Sequence, residues 1–464
     1  MRVLLVIFPA TAHLFPVVPL AWALQAAGHE VRVAAHAGVV EPDMTATIAA
    51  AGLTPVPLGE RAELPDLVRV NATTDQSDRP TLALDPEAAD DWERTRGYLL
   101  GLLSLYYPRP DGGAAWPMAD ELVRVARAWR PDLVLWDPLC PPAPIAARAC
   151  GAAHARVLWG LDNLGWIREL ARRAGTAPDD DPLVGWLRPL LDRYGDVFDE
   201  EVLTGQWTLD MVPDRMRLPL PRRGLTVRRV PYNGAAPVPD WLAEPPPRPR
   251  VCLTLGVSTR KLFSEHRGLS LANVFDLVAE LDVELVATLN EAQLAGVRQL
   301  PDNVRVVDYL PLNQLLPTCA AVIHHGGGGT FAAAVAHRVP QLVIPVPKWD
   351  EAVTARYVAR RGAGLVLYQP VRGAELRTAV QRLIDDPSFR AGADELHRDM
   401  LATPSPTDVV PALERLAASR HAGAHPLQTL RDRRTHARPH DDQPRVDSLR
   451  PPGAARLGVT GGRA

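Results

Sequence analysis

The sequence of 464 residues is poor in lysine, in cysteine and in long apolar runs. Only Lys261 and Lys348 are lysines, nearly all other positive charge is arginine, and the formal net charge is -3. We attribute this bias to the codon usage of a GC-rich genome, so abundant arginine is weak evidence for anion sites. The chain also has no basic stripe or block of like charge in its body, which argues against binding to nucleic acid.

The few cysteines and the short apolar runs exclude further classes. Cys140, Cys150, Cys252 and Cys319 lie in apolar or small-residue surroundings without the paired spacing of a metal site, so we expect reduced core thiols and no zinc. No stretch approaches the roughly 20 apolar residues of a membrane span. The apolar run at 3–8 is too short for a signal peptide and predicts a first strand instead. We therefore expect a cytoplasmic protein.

Alternating strand and helix patterns predict an α/β fold with two doubly wound, Rossmann-like domains. The first opens with a strand at 3–8, a helix at 16–27 and a strand at 30–35. A proline-dense stretch predicts a stiff linker at 236–249, after which a new strand begins at Val251. We therefore assign residues 1–235 and 250–420 to the two domains. Residues 421–464 lack apolar periodicity, and we expect them to be a disordered tail.

Residues 64–117 interrupt the first domain with acidic, aromatic and proline-rich sequence. An insertion of this length between sheet elements is either an interaction surface or a plain surface excursion, and the pattern leaves both open.

The most informative segment follows a predicted strand that ends at Ile323. His325 and Thr330 flank four glycines, Gly326, Gly327, Gly328 and Gly329, at a predicted strand-to-helix turn. Glycine lets backbone N–H groups approach a ligand, and the helix N-terminus is partly positive, so the turn is suited to a pyrophosphate. The alternatives are a tight packing turn and a strand-end histidine with a backbone partner, which suits His324 better than His325.

A second group of polar residues lies at the predicted carboxyl ends of neighbouring strands. His13 follows the first strand and is placed to accept a proton, while Asp137 follows another strand and is placed to orient that imidazole. Asp350 with Trp349 would contact a sugar, and Ser258 a phosphate. Each has a structural alternative: a helix-entry residue for His13, and a helix cap for Asp137, Asp350 or Ser258.

Several segments resemble the antibiotic glycosyltransferases of the two-Rossmann-domain (GT-B) class. The general matches are GHEVRVA at 28–34, CLTLGVS at 252–258, HHGGGGT at 324–330 and WD at 349–350. More specific matches are WDP at 136–138, AHARVLWG at 153–160, TGQWT at 204–208 and VPYNG at 230–234. Together they are similar to the transferases that attach deoxysugars and aminosugars to macrolides and anthracyclines with a cytochrome-P450-like helper protein.

The resemblance, which covers about residues 1 to 418, implies a site and a reaction. His325, Gly329 and Thr330 would hold the diphosphate of a dTDP-sugar, Tyr309 and Leu310 would lie beside the thymine, and Trp349-Asp350 would face the sugar. We also assign Gly256, Ser258, Gly326, Gly327 and Gly328 to the donor site. Many relatives that use common hexoses have Asp-Gln where this chain has Trp349-Asp350, and this difference suggests a sugar with few hydroxyls. His13 matches the family's base, and Asp137 its partner.

The implied reaction is a metal-independent displacement with inversion on a polyketide aglycone, in which the dTDP-sugar is a substrate rather than a cofactor. The loops assigned to the donor site contain no Asp-x-Asp cluster. The family's habit makes the 64–117 insertion our candidate surface for a P450-like activator, with a homodimer or a heterotetramer as the implied assembly. A nucleotide-sugar epimerase of the same fold and a non-catalytic accessory protein remain alternatives.

Overall fold

The computed structural model describes residues 1–36, 43–59, 118–221, 223–256, 278–291, 293–294, 299–345, 350–368 and 371–421, and the separate positions 97, 99, 100, 103, 274, 275 and 297. Positions 295, 296 and 298 lie outside this set, as do most of the 64–117 insertion and the tail after 421. The predictions for the insertion and the tail therefore fall outside the described residues.

Seven parallel strands form the first sheet, in the order β3-β2-β1-β4-β5-β6-β7. They are β1 (Arg2–Ile7), β2 (Glu30–His36), β3 (Thr54–Leu58), β4 (Leu133–Trp136), β5 (Ala153–Leu158), β6 (Trp207–Asp210) and β7 (Gly224–Thr226). The strand order reverses between β1 and β4, and ligands in open parallel sheets bind beyond the carboxyl ends of the strands at such a point. This confirms the predicted doubly wound architecture.

The helices of the first domain lie on both faces of this sheet. They are α1 (Thr11–Leu14), α2 (Val18–Ala26), α3 (Met44–Ala50), α4 (Met118–Trp129), α5 (Pro142–Cys150), α6 (Asn163–Arg173), α7 (Pro182–Arg193) and α8 (Glu201–Thr204). The sequence predicted a single helix at 16–27 preceded by a loop with His13. Instead, His13 lies within the short helix α1, and α2 begins after Pro16, which has no N–H to continue the helical hydrogen bonds.

Six parallel strands form the second sheet, in the order β10-β9-β8-β11-β12-β13. They are β8 (Arg250–Thr254), β9 (Glu284–Thr288), β10 (Val304–Val307), β11 (Ala321–His324), β12 (Gln341–Val343) and β13 (Gly364–Val366). The described helices that follow are α9 (Leu312–Leu315), α10 (Gly328–Ala336), α11 (Glu351–Arg360), α12 (Gly373–Asp385), α13 (Pro387–Ala402) and α14 (Pro406–His421). The order reverses between β8 and β11, directly below the glycine-rich turn.

Alternate side chains of each central strand enter opposite hydrophobic layers. In β1, Leu4 and Val6 join the layer that contains α4 and α5, whereas Val3, Leu5 and Ile7 join the layer that contains α2. A strand buried on both faces has a continuous apolar sequence, which is why the run at 3–8 was recognisable.

The last helix corrects the predicted domain boundary. Residues up to 420 were assigned to the second domain, but Val409, Val410 and Leu413 of α14 pack in the first domain against α2 and β5. Periodicity predicts an apolar helix face without saying which core it covers, so the sequence could not place this helix. The chain therefore crosses between the domains a second time after α13.

The predicted linker is anchored to the second domain. It contains a short 3-10 helix, Asp240–Leu242, and Leu242 is buried with Leu310 and Leu315 of the second domain. Asn313 adds two hydrogen bonds to the preceding segment, from its backbone N–H to Asn233 Oδ1 at 3.0 Å and from Nδ2 to Pro231 O at 2.8 Å. The proline-rich stretch is thus held in place.

A search of the described helices found none long and apolar enough to cross a membrane. Among all the residues that the structure describes, no three His, Cys, Asp or Glu side chains lie close enough together to hold a metal ion.

We predict that Leu413→Ala lowers the free energy of unfolding of the first domain by about 2–5 kcal/mol, because it leaves a cavity in a packed core. Hydrogen exchange should accelerate in α2 and leave β12 of the second domain unchanged. The matched control is the exposed Arg415→Ala on the same helix. Faster exchange in β12 instead of α2 would show that α14 belongs to the second domain.

Candidate functional site

The pair predicted from the sequence, His13 and Asp137, lies at the carboxyl ends of β1 and β4. These strands are neighbours, and Asp137 N–H continues their ladder by donating to Val6 O at 2.9 Å. His13 Nδ1 is 2.6 Å from Asp137 Oδ2. The structure therefore confirms that the two side chains meet.

Asp137 is held so that it can orient the imidazole. Its side chain is only 3% exposed, and its second oxygen, Oδ1, accepts a hydrogen bond from Leu139 N–H at 2.8 Å. The predicted alternative of a helix cap does not apply to α5, whose N-cap residue is Pro141. A carboxylate oxygen in this position suits the His13 tautomer with its proton on Nδ1, in which Nε2 has a lone pair.

Two aromatic rings fix the orientation of the His13 ring. Phe8 lies 5.0 Å from it between ring centroids, and Trp159 lies 4.4 Å away in an edge-on arrangement. Trp159 follows β5, so His13, Asp137 and Trp159 come from the segments after β1, β4 and β5, three consecutive strands of the first sheet. The imidazole retains only partial exposure, 11% of its side chain, as expected of a group that meets its substrate in a restricted space.

The glycine-rich turn has the predicted strand-to-helix form. β11 ends at His324, Gly327 is the N-cap residue, and α10 begins at Gly328. Gly326 has φ of +99°, and a Cβ there would lie 2.9 Å from Glu351 O. Both facts require glycine at this position.

His325 lies in a slot between the turn and the loop after β8. A Cβ on Gly256 would be 2.7 Å from His325 Cε1, and a Cβ on Gly327 would be 2.6 Å from His325 Nε2. Gly256 also has φ of +73°. These two glycines therefore allow the imidazole to lie flat against the backbone, close to the first turn of α10.

His324 has a structural role, in agreement with its alternative interpretation. Its Nε2 donates to Gln341 Oε1 at 3.0 Å, and its Nδ1 accepts from Gly326 N–H at 3.1 Å. Complete burial lowers the pKa of His324 to about 4, so the ring is neutral near pH 7 and supports the turn.

Asp350 reaches across to the first domain. In the described helix α11 it occupies the N-cap position but makes no capping hydrogen bond with its side chain. Instead, Oδ2 accepts from Leu161 N–H at 3.3 Å and lies 2.7 Å from where a Gly160 Cβ would be. Burial raises the pKa of Asp350, while the Leu161 N–H and the charge of Arg229 oppose that rise. The alternative of a side-chain helix cap therefore does not apply to Asp350.

The other residues that the sequence assigned to the donor site lie in different surroundings. Tyr309 is 38% exposed, and its hydroxyl donates to Asn233 O of the linker. The side chain of Leu310 is buried in the second-domain core. Ser258 and Trp349 lie outside the described residues. Thr330 is buried in the first turn of α10.

Arg229 is the principal residue that sequence reasoning missed. Its Nη1 donates to Trp159 O at 2.6 Å and lies 2.9 Å from where a Gly328 Cβ would be. The sequence showed an arginine one position before the VPYNG segment, but arginine is so common in this chain that its type carried no information. Gly160 was quoted in a motif without a role.

A cavity of about 610 Å³ lies between the domains beside this cluster. Its lining includes Trp159, Gly160 and Arg229 of the first domain and Gly328 and Asp350 of the second. The described lining does not include His13 or Tyr309, so the cavity adjoins the predicted base and thymine positions without containing them.

A smaller hollow of about 30 Å³ lies at the same edge of the first sheet. Most of its lining is apolar and includes Leu103, Pro138, Leu139, Leu158 and Trp159. Leu103 comes from the insertion, so at least one insertion residue packs near the loop that carries Trp159.

Comparison with known proteins gives matches along most of the chain. Residues 22–256 match the family model described as erythromycin biosynthesis protein CIII-like, N-terminal domain, and residues 272–416 match the corresponding C-terminal domain. The chain is similar to an aclacinomycin-T 2-deoxy-L-fucose transferase of Streptomyces galilaeus, with 46% identity over 90% of this chain and 96% of that protein. It is also similar to a 10-deoxymethynolide desosaminyltransferase of Streptomyces venezuelae, with 44% identity over 90% and 97%.

Solved structures show the same architecture. The glycosyltransferase VinC in complex with dTDP has a TM-score of 0.76 and 41% identity, over 90% of this chain and 100% of that one. The spinosyn forosaminyltransferase SpnP has a TM-score of 0.73 and 40% identity, over 90% and 99%. These matches confirm the resemblance and the two-Rossmann-domain fold that the motifs indicated.

We predict that His13 is the Nδ1–H tautomer near neutral pH, because Asp137 accepts that proton. Asp137→Asn should increase the Nε2–H form, since the amide can donate to Nδ1. The ¹⁵N chemical shifts of His13 would show the change, with the exposed Asp132→Asn as control. Equal tautomer populations in all three proteins would contradict an orienting role for Asp137.

Proposed function

Because the chain belongs to the erythromycin biosynthesis protein CIII-like family of glycosyltransferases, we propose that it transfers a deoxysugar or an aminosugar from a dTDP-sugar to a polyketide hydroxyl. The observation that carries the proposal is the facing arrangement of two features. A hydrogen-bonded His13–Asp137 pair lies on the first domain, and a glycine-rich helix N-terminus lies on the second. Between them is the space that a donor sugar and an acceptor hydroxyl would share.

Donor binding would rest on the second domain. The free N–H groups at the start of α10 and the partial positive charge of its N-terminus suit a diphosphate. His325, held in its slot by Gly256 and Gly327, is placed to donate to a phosphate oxygen. Asp350 is placed to accept a hydrogen bond from a sugar hydroxyl or an ammonium group. The names of the relatives, which include deoxysugar and aminosugar transferases, support this donor class.

The reaction would be a single displacement with inversion at the anomeric carbon. The acceptor oxygen forms a bond to that carbon as its bond to the diphosphate oxygen breaks. His13 Nε2 takes the hydroxyl proton, and the electron pair of the broken bond stays on the departing dTDP. Asp137 stabilises the imidazolium that forms, and the α10 N-terminus stabilises the charge on the leaving group.

The same proposal includes the conditions and the partners of the reaction. We expect turnover to need no metal ion, because imidazole and helix N-terminus neutralise the diphosphate. A chelator should therefore leave the rate unchanged. We also expect a P450-like activator to bind the protein, with a homodimer or a heterotetramer as the assembly. The acceptor is a macrolide or anthracycline aglycone, as the names of the relatives indicate.

We predict that His13→Ala lowers turnover by about a hundredfold or more, because the acceptor hydroxyl loses its general base. The measurement is glycoside formation from a dTDP-deoxysugar and a panel of aglycones, with the helper protein present. His397→Gln, whose ring contacts Val335 O away from this pair, is the control. A rate unchanged by His13→Ala would remove the proposed base.

The same incubation separates the alternatives. An epimerase would convert the dTDP-sugar into a new nucleotide sugar without glycoside, and an accessory protein would leave the donor intact. Either result, with a folded protein that binds dTDP, would contradict the proposed transfer.

A further inference from the structure

Arg229 belongs to one domain by sequence and touches the other through its side chain. It follows β7 in the first domain, and its Nη1 donates to Trp159 O at 2.6 Å. Across the cleft, a Cβ on Gly328 would lie 2.9 Å from Nη1, and a Cβ on Gly329 would lie 3.9 Å from Nη2. The guanidinium therefore lies directly against the first turn of α10.

This position is unfavourable for a cation in an empty site. The N-terminus of a helix carries partial positive charge, which repels a guanidinium at this distance. Burial also lowers the pKa of Arg229 to about 10, and attraction to Asp350 opposes that change. Within the described residues, Asp350 makes no ion pair with Arg229 within 4.0 Å, although its charge acts on the arginine. Positive charge is thus concentrated here without a full counter-charge.

The guanidinium retains donors for a ligand. Among the described residues, the hydrogen bond to Trp159 O is the one that its side chain makes. A guanidinium has five N–H donors arranged in a plane, which match the oxygens of a phosphate. Arg229 lines the cavity between the domains together with Gly328 and Asp350. A bound anion would therefore meet the remaining N–H donors of Arg229 together with the amides of α10.

We propose that Arg229 binds the diphosphate of the nucleotide sugar, beside the first turn of α10, and balances the charge of the departing dTDP. This inference rests on the proposed function and adds a residue to it. Since Arg229 comes from the first domain and the glycine-rich turn from the second, the diphosphate would bridge the two domains. The donor would then hold the cleft closed around the reacting atoms.

The test compares three ligands that differ only in phosphate: thymidine, dTMP and dTDP. We expect Arg229→Gln to weaken dTDP binding by about 10- to 100-fold in calorimetry, because one charged hydrogen-bond partner is lost. Thymidine binding should be unchanged. Arg229→Lys, which keeps the charge and loses the planar fork, should give an intermediate loss of dTDP affinity. Circular dichroism checks that each variant is folded. If Arg229→Gln does not fold, the comparison of Arg229→Lys with the wild type is the test.

Arg228→Gln is the matched control. The neighbouring arginine lines the same cavity, but its Nη1 donates to Leu401 O at 3.2 Å, and it is not among the atoms that meet a Cβ built on Gly328 or Gly329. Its replacement should leave the ratio of dTDP to thymidine affinity at the wild-type value.

Two results would overturn this inference without affecting the proposed function. One is equal dTDP affinity in the wild type and Arg229→Gln. The other is an equal loss of affinity for dTDP and for thymidine, which would mean that Arg229 only supports Trp159. A wild-type protein that binds no dTDP would instead contradict the proposed function itself.

Discussion

The close approach of the two domains at Trp159 and Gly160 is the constraint on which the site depends. The Trp159 ring packs 4.4 Å from the His13 ring, and its carbonyl accepts the hydrogen bond of Arg229. A Cβ on Gly160 would lie 2.7 Å from the Asp350 carboxylate, so a larger residue would displace that carboxylate. The dipeptide Trp159-Gly160 after β5 therefore contacts His13, the half-buried Arg229 and the carboxylate of the second domain. Any shift of this loop would change all three at once.

A buried ion pair fixes that loop at both ends. Arg156, within β5, donates from Nη1 to Asp162 Oδ1 at 2.7 Å, and Asp162 also caps α6 through Gly165 N–H at 2.9 Å. Arg156 Nε donates to Thr208 of the neighbouring strand at 2.9 Å. Burying two charges costs solvation energy, and the pair recovers it only because further hydrogen bonds complete the network. In return, the five residues between Arg156 and Asp162 have a defined path, and the positions of Trp159 and Gly160 follow from it.

The sequence was informative where backbone geometry alone decides position. His13 and Asp137 were predicted to meet because adjacent parallel strands end at one edge, and the glycine-rich turn was predicted because an apolar strand, glycines and a small-residue helix allow few other structures. Prediction failed where a side chain chooses between partners. Nothing in the sequence around Asp350 favours a hydrogen bond from Leu161 N–H over a helix cap. The apolar pattern of α14 does not indicate which domain the helix packs against. Leu310 faces inward because it packs against the linker. Arg229 was missed because its partners lie 70 and about 100 positions away in the chain.

The return of α14 to the first domain gives the molecule two connections between its halves instead of one. They run side by side, since Arg228 N–H on the outgoing segment donates to Pro404 O on the returning segment at 2.7 Å. A single connection would leave rotation of one half against the other unrestrained, whereas two adjacent connections restrain that rotation. A change in the separation of the halves would therefore leave the glycine-rich turn aligned with His13.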